Sequence, residues 1–334
     1  MDFSQYTGIY VICEAASGIP SQAAAELLGE ARVLSEKTGD TVAAVLMGSA
    51  VESAAKDLIA CGADTVYVID HPLLAHYDGK AYEKVLGRFL QEKKPSAVLF
   101  AADAYGRDLA PRIASYLVCG VTADVTELSV DEKTGLIIWS RPAMGGNIMA
   151  DIVSPLYRPQ MGTIRPGTFP APTPDASRKG EIVNVPVELD AADFGTVLQE
   201  ILKAPKEENP VETAKIIVTG GRGIHTEADW AKVRELADLL GAAVGVTRPI
   251  AELGWEPHSR QIGQTGKAVS PHIYIALGVS GAMQHVCAIK PDILIAVNRD
   301  KNAPIMEIAD YAVTADLKEF LPALIAELKN LKKE

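Results

Sequence analysis

The side chains with chemistry to offer gather in the last third of this 334-residue chain. Arg222 sits inside a glycine turn, Gly220-Gly-Arg-Gly223, that follows one apolar run and precedes a helical pattern. A guanidinium placed there can grip a phosphate through two parallel hydrogen bonds. Thr247-Arg248 closes the next apolar run. It reads either as a surface arginine before Pro249 or as a fixed positive charge at a crevice. Gln261-Ile-Gly-Gln-Thr-Gly266 is a polar turn carrying the amides of Gln261 and Gln264, the Thr265 hydroxyl and a flexible Gly263. Gly278-Val-Ser-Gly281 is a second glycine turn, and Ser280, Gln284 and His285 project from it and from the first turn of the helix after it. Asn298, Asp300 and Asp316 stand at the ends of two further apolar runs. The set suits an anionic, polar ligand. It does not suit hydrolysis: a nucleophile elbow needs a glycine two residues after Ser280, where Ala282 stands, and no histidine follows His285. His71, His76, His225, His258 and His272 lack metal-ligand spacing and read as structural.

The elements that must position these groups are strands and helices in alternation. Residues 273–277 form a short buried strand that stops at Gly278, with Ser280 expected to cap a helix starting at Gly281. Strand, glycine turn and helix together aim backbone N–H groups and a helix dipole at a phosphate. Residues 215–218, 243–247, 293–297 and 311–314 read as the companion strands, with helices over 227–240 and 316–331. In a doubly wound sheet, groups at strand C-termini line one crevice. The same alternation opens the chain. Strands are expected at 8–13, 41–47, 65–69 and 97–101, and helices at 21–37, 51–61, 81–91 and 107–118, the last closed by Gly120. Residues 125–130, 136–140 and 148–153 then read as strands with no helices between them, an antiparallel extension, and 183–189 returns as a strand.

Gly278-Val-Ser-Gly-Ala-Met-Gln-His285, Ala296-Val-Asn-Arg-Asp300, Ala303-Pro304 and Ala309-Asp-Tyr311 resemble, in order and spacing, the C-terminal FAD domain of electron transfer flavoprotein α subunits. So do Gly220 to Gly223, Thr247-Arg248 and Gln261 to Lys267. Gly106 to Pro111, Arg141 to Ala150 and Arg158 to Gly167 resemble the first domain of the same subunits, so the resemblance spans nearly the whole chain. It implies one FAD, held by Arg222, Thr247, Arg248, Gln261, Gly263, Gln264, Thr265, Gly278, Ser280, Gly281, Gln284, His285, Asn298 and Asp316. In the family Arg248 lies against the flavin ring, Gln261, Gln264 and Thr265 contact it, and Thr265 is placed to tune N5. His285 meets the pyrimidine edge, and Asn298 and Asp316 hold the ribose of the adenosine half. The family often has serine before the arginine; Thr247 keeps the hydroxyl. A unit charge about 4 Å from the ring, reduced for exposure, predicts that Arg248 contributes roughly 2 kcal/mol, or on the order of 90 mV, to the first electron.

The resemblance further implies a heterodimer with an electron transfer flavoprotein β subunit that completes the site and holds AMP or a second FAD. Such a complex carries electrons between a donor, an acyl-CoA dehydrogenase of fatty acid β-oxidation or NADH, and a redox partner. Whether it bifurcates electrons depends largely on the β subunit. The chain is expected to be a carrier rather than an enzyme, since the chemistry is the cofactor's. The rivals are a nicotinamide-dependent dehydrogenase, which calls for a glycine fingerprint not seen here, and a nonredox interaction subunit.

The formal net charge of −11 argues against nucleic-acid and anionic-membrane binding. No signal-peptide pattern and no spanning apolar stretch is visible, so a cytoplasmic protein is expected. Cys13, Cys61, Cys119 and Cys287 are far apart and form no metal or disulfide pattern, and read as reduced, mostly buried thiols. The expected fold class is α/β in two domains, each a mostly parallel sheet flanked by helices. An N-terminal scaffold and β-subunit contact covers 1–204, a charged, proline-bracketed linker 205–213, and a doubly wound FAD-binding domain 214–334.

Overall fold

The computed structural model describes residues 3–16, 18–143, 148–201 and 209–332. The chain divides into two compact units, Met1–Ile201 and Leu202–Glu334. The first part of the expected linker, 205–208, lies outside the described residues; Val211, near its end, is buried in the core of the second unit.

In the first unit β1 (Ile9–Cys13) is followed by a small hairpin, β2 (Ala15–Ala16) and β3 (Ile19–Pro20), and by α1 (Gln22–Thr38). The Ser21 hydroxyl caps α1 by accepting from the Ala24 N–H. The chain continues through β4 (Val42–Gly48), α2 (Ala55–Ala60), β5 (Thr65–Asp70), α3 (Gly79–Lys93), β6 (Ala97–Ala101), α4 (Ala104–Leu117) and β7 (Val121–Val125). Next come β8 (Glu127–Val130), β9 (Ile137–Ala143), β10 (Ile148–Ile152), β11 (Gln160–Ile164) and β12 (Glu181–Asn184). Seven strands form a wholly parallel sheet in the order β12-β5-β4-β1-β6-β11-β7. Strands β8 to β10 form the expected antiparallel extension. Apolar side chains from both faces of the parallel sheet build two cores, which is why its central strands β4, β1 and β6 are apolar runs.

Several boundaries differ from the expectation for local reasons. Helix α4 ends at Leu117 and is closed by Val118 rather than Gly120, Val118 itself taking the left-handed φ of 53°. The helix expected over 51–61 begins as a 3-10 turn, Glu52–Ala54, before α2. The stretch 125–130 is split between β7 and β8, with Asp124 at φ 60°. The returning strand is only Glu181–Asn184, at the sheet edge. Strand β11 was not expected at all, yet every one of its residues is buried. Of the four thiols two are buried, Cys13 and Cys61, and two half-buried, so "mostly buried" overstates the burial of Cys119 and Cys287.

The second unit runs β13 (Ile216–Gly220), α5 (Glu227–Leu240), β14 (Ala243–Val246), α6 (Arg248–Glu252), β15 (Ile273–Leu277), α7 (Met283–Val286), β16 (Ile293–Asn298), α8 (Pro304–Ile308), β17 (Tyr311–Thr314) and α9 (Leu317–Leu331). Its five strands are all parallel, in the order β14-β13-β15-β16-β17. The chain leaves β13 toward β14, then returns to place β15 on the other side of β13. The switch point therefore lies between β13 and β15, where a doubly wound sheet opens its ligand crevice. Among the described residues no helix is long and apolar enough to cross a membrane.

Candidate functional site

At that switch point the two glycine turns lie back to back. The Gly221 N–H donates to the Leu277 carbonyl at 2.9 Å, and the Gly223 N–H to the Gly278 carbonyl at 2.9 Å. A Cβ on Gly221 would stand 2.5 Å from the Gly278 oxygen, and one on Gly223 2.8 Å from the Gly278 Cα. These glycines are first of all the condition for two turns to touch. By touching, the turns leave open above them a cleft of about 870 Å³.

Arg222, Thr247, Arg248, Gln261, Gly263 and Gln264 line this cleft, as do Thr265, Gly278, Ser280, Gln284, His285 and Asn298. Two expected residues do not. Gly281 is buried under α8: at φ 82° its added Cβ would meet the Ile305 nitrogen at 2.2 Å. Asp316 caps α9 by accepting from the Lys318 N–H, and it lines a smaller neighbouring cleft of about 130 Å³ that shares Gly223, His225, Gly278, Asn298 and Arg299 with the first. The expected Ser280 cap is not made. The helix starts later, at Met283, its N-terminal flank is Ala282, and no side chain caps it. The loop from Gly278 to Ala282 turns toward α8 instead, where the Ser280 carbonyl accepts from the Ile305 N–H.

The polar turn forms one wall. The Gln261 amide donates to the Thr265 hydroxyl oxygen at 3.1 Å, which leaves the threonine proton free to point elsewhere. The Gln264 N–H donates to the Gln284 carbonyl at 2.6 Å and ties this turn to α7. Thr247 is 9% exposed, and its hydroxyl is buried without a hydrogen-bond partner among the described residues. A buried hydroxyl left unpaired costs free energy until something pairs with it. Arg248 opens α6 with its side chain 68% exposed, and its Nε donates to Glu252 at 2.8 Å. Arg222 is exposed in its turn and makes no ion pair with the described residues. Asn298 donates to the Val279 carbonyl at 2.8 Å, so its side chain also braces the second glycine turn.

His285 is buried, and burial pushes its pKa down to about 4. The ring is neutral at neutral pH. Its Nδ1 lies 3.0 Å from the Ile262 carbonyl and its Nε2 2.8 Å from the Tyr274 hydroxyl. Arg299 and His225, which the sequence pattern does not mark as site residues, also line the cleft. Asp300 does hold its own turn, accepting from the Asn302 N–H, while also lining the cleft. For Arg299 the available signal was position: it directly follows Asn298 at the end of β16.

The fold and cleft define a two-unit parallel α/β protein whose second unit carries a polar crevice at its switch point. Comparison with known proteins is then decisive. The electron transfer flavoprotein domain family matches residues 9–190, and the electron transfer flavoprotein FAD-binding domain family matches residues 210–290. Over 335 aligned residues the chain is 45% identical to the electron transfer flavoprotein subunit alpha of Megasphaera elsdenii, covering 99% of each. It is 44% identical to the subunit of the same name from Thermoanaerobacterium thermosaccharolyticum, covering 98% of this chain and 100% of that one. It is 38% identical to the acryloyl-CoA reductase electron transfer subunit beta of Anaerotignum propionicum, covering 99% and 98%. The chain belongs to the electron transfer flavoprotein α-subunit family.

Proposed function

We propose that the second unit binds one FAD in the large cleft and that the chain, paired with a β subunit, carries electrons between a dehydrogenase and a redox partner. The observation that carries this reading is the chemistry of the cleft wall. An unpaired buried hydroxyl on Thr247, a spare proton on Thr265 and an unpaired guanidinium on Arg222 face one cavity at the switch point. That donor set fits a ligand with a polar ring edge and phosphates. Arg222 would hold phosphate, Arg248, Gln261, Gln264 and Thr265 the ring, and Asn298, shared by the two clefts, would hold the ribose with Asp316 of the smaller one. Bound FAD would supply electron transfer in single steps. The chain's own part is to bind and orient, to keep a cation near the ring through Arg248, and to offer a hydroxyl proton through Thr265.

The β subunit, with AMP or a second FAD in it, completes the proposal. An acyl-CoA dehydrogenase-type partner is supported by the name of the Anaerotignum propionicum relative. Whether the pair bifurcates electrons depends largely on the β subunit. A cytoplasmic location is part of the proposal and is supported by four free cysteines. The test is purification of the chain with its β subunit, followed by cleavage between Ile201 and Asn209. Flavin absorbance is expected to stay with the C-terminal fragment; flavin held by the N-terminal fragment alone would refute the assignment.

A further inference from the structure

Tyr274 lies in the middle of the sheet on β15, with 0% of its surface exposed, and a hydroxyl there must find a partner. It finds His285 Nε2 at 2.8 Å. The other ring nitrogen faces the Ile262 carbonyl at 3.0 Å. A carbonyl oxygen can only accept, so Nδ1 must carry the proton. A neutral imidazole then has a bare Nε2, which can only accept, and the tyrosine must donate to it. The chain of bonds has one direction: Tyr274 O–H to Nε2, Nδ1–H to Ile262. Ile262 is held from its other side as well, since its N–H donates to the Val246 carbonyl at 2.9 Å.

We infer that Tyr274 is a positioning residue of the cleft: with the His285 proton fixed on Nδ1 by the Ile262 carbonyl, the tyrosine hydroxyl donates to the bare Nε2, and the ring so held anchors the turn from Gln261 to Thr265 against β15. While both bonds stand, His285 has no proton to give a ligand. Its contribution is to hold the wall that carries Gln261, Gln264 and Thr265. The contact with a flavin edge that the family resemblance implies would require the ring to give up its bond from Tyr274. The depressed pKa of His285 agrees, because a buried imidazolium would lose both its solvation and the tyrosine's donated proton.

The inference rests on the proposed flavin site for its functional consequence alone; the tautomer is read independently. Long-range proton–nitrogen spectra of the purified protein, with its histidine rings labelled in nitrogen-15, report each ring's tautomer. The chain has six histidines, and the His285 signals are those lost in His285→Asn. At neutral pH we expect a protonated Nδ1 and a bare Nε2. A proton on Nε2 overturns the inference. In Tyr274→Phe the proton is expected to stay on Nδ1, the nitrogen-15 signal of Nε2 to move as its donor is lost, and flavin affinity to fall about fivefold, the loss of one buried hydrogen bond. An unmoved Nε2 signal with unchanged flavin affinity in that variant also overturns it. If the protein takes up no flavin, the proposed function fails while the tautomer result stands.

Discussion

At the scale of single residues, Arg248 shows how a structure changes a magnitude. From the resemblance alone, a cation beside the ring was expected to be worth on the order of 90 mV. The side chain is 68% exposed and paired with Glu252 at 2.8 Å. Exposed pairs of this kind are worth about 0.5–1 kcal/mol, so the effect on the first electron falls to roughly 20–40 mV. Arg248→Ala should lower the first midpoint potential of the bound flavin by that amount in a spectroelectrochemical titration. Glu252→Gln should raise it, because the guanidinium is then released toward the cleft. A flavin-loaded Arg248→Ala protein with unchanged potentials would rule out the electrostatic role. Glu14, in the first unit, makes a separate case. Burial, and then the nearby Asp103, raise its pKa to about 7. A carboxyl whose folded pKa lies above its unfolded one supports the fold at low pH, and that support is lost as pH rises through about 7. Glu14→Gln should therefore raise the melting temperature at about pH 8 by roughly 2–4 °C, equivalent to about 1 kcal/mol after allowance for partial exposure. At about pH 3, below the pKa of the carboxyl in both states, it should change little. A gain of equal size at both pH values would show that the charge is not the cause.

At the scale of elements, the glycine turns are the most exacting parts. Gly281 combines φ 82° with an Ile305 nitrogen 2.2 Å from where a Cβ would sit. Gly281→Ala should destabilise the second unit by about 2–4 kcal/mol, read as a lower denaturant midpoint, since backbone rather than a flexible side chain must move. Helices and strands of the second unit were largely legible in the sequence. Residues 227–240 are bounded by the Thr226 cap and by Gly241, and 273–277 and 311–314 are apolar runs between turn residues. Strand β11 was not legible, because Gln160-Met-Gly-Thr-Ile164 looks polar and small. Its polar groups are buried only because distant chain satisfies them: Gln160 accepts from the Ile137 N–H and Thr163 from the Asp124 N–H. Gly162 is small because Trp139 packs over it, with a Cβ site 2.3 Å from that ring. The site divided along the same line. Residues carried by short motifs were found, while the partners of His285, 11 and 23 positions away, left no local trace.

At the scale of the whole molecule, the first unit spans the electron transfer flavoprotein domain match and the second the FAD-binding domain match. The first unit also has a switch point, between β1 and β6. The residues around the cleft of the second unit come from five separate stretches of chain between Gly221 and Ala303. No one of them makes a wall without the others. The turn at 221 needs the turn at 278, and the turn at 261 needs α7. The order of events in folding follows from this. Contacts so distant in sequence form late, after loop closure has been achieved. A ligand of this cleft therefore meets no binding surface in the unfolded chain and little in the transition state. Added flavin should leave the refolding rate of the second unit unchanged and should slow its unfolding in proportion to the stabilisation it confers at equilibrium. Stopped-flow refolding with and without FAD would show the asymmetry; a refolding rate that climbs with flavin concentration would mean that part of the cleft assembles early, ahead of the sheet that carries it.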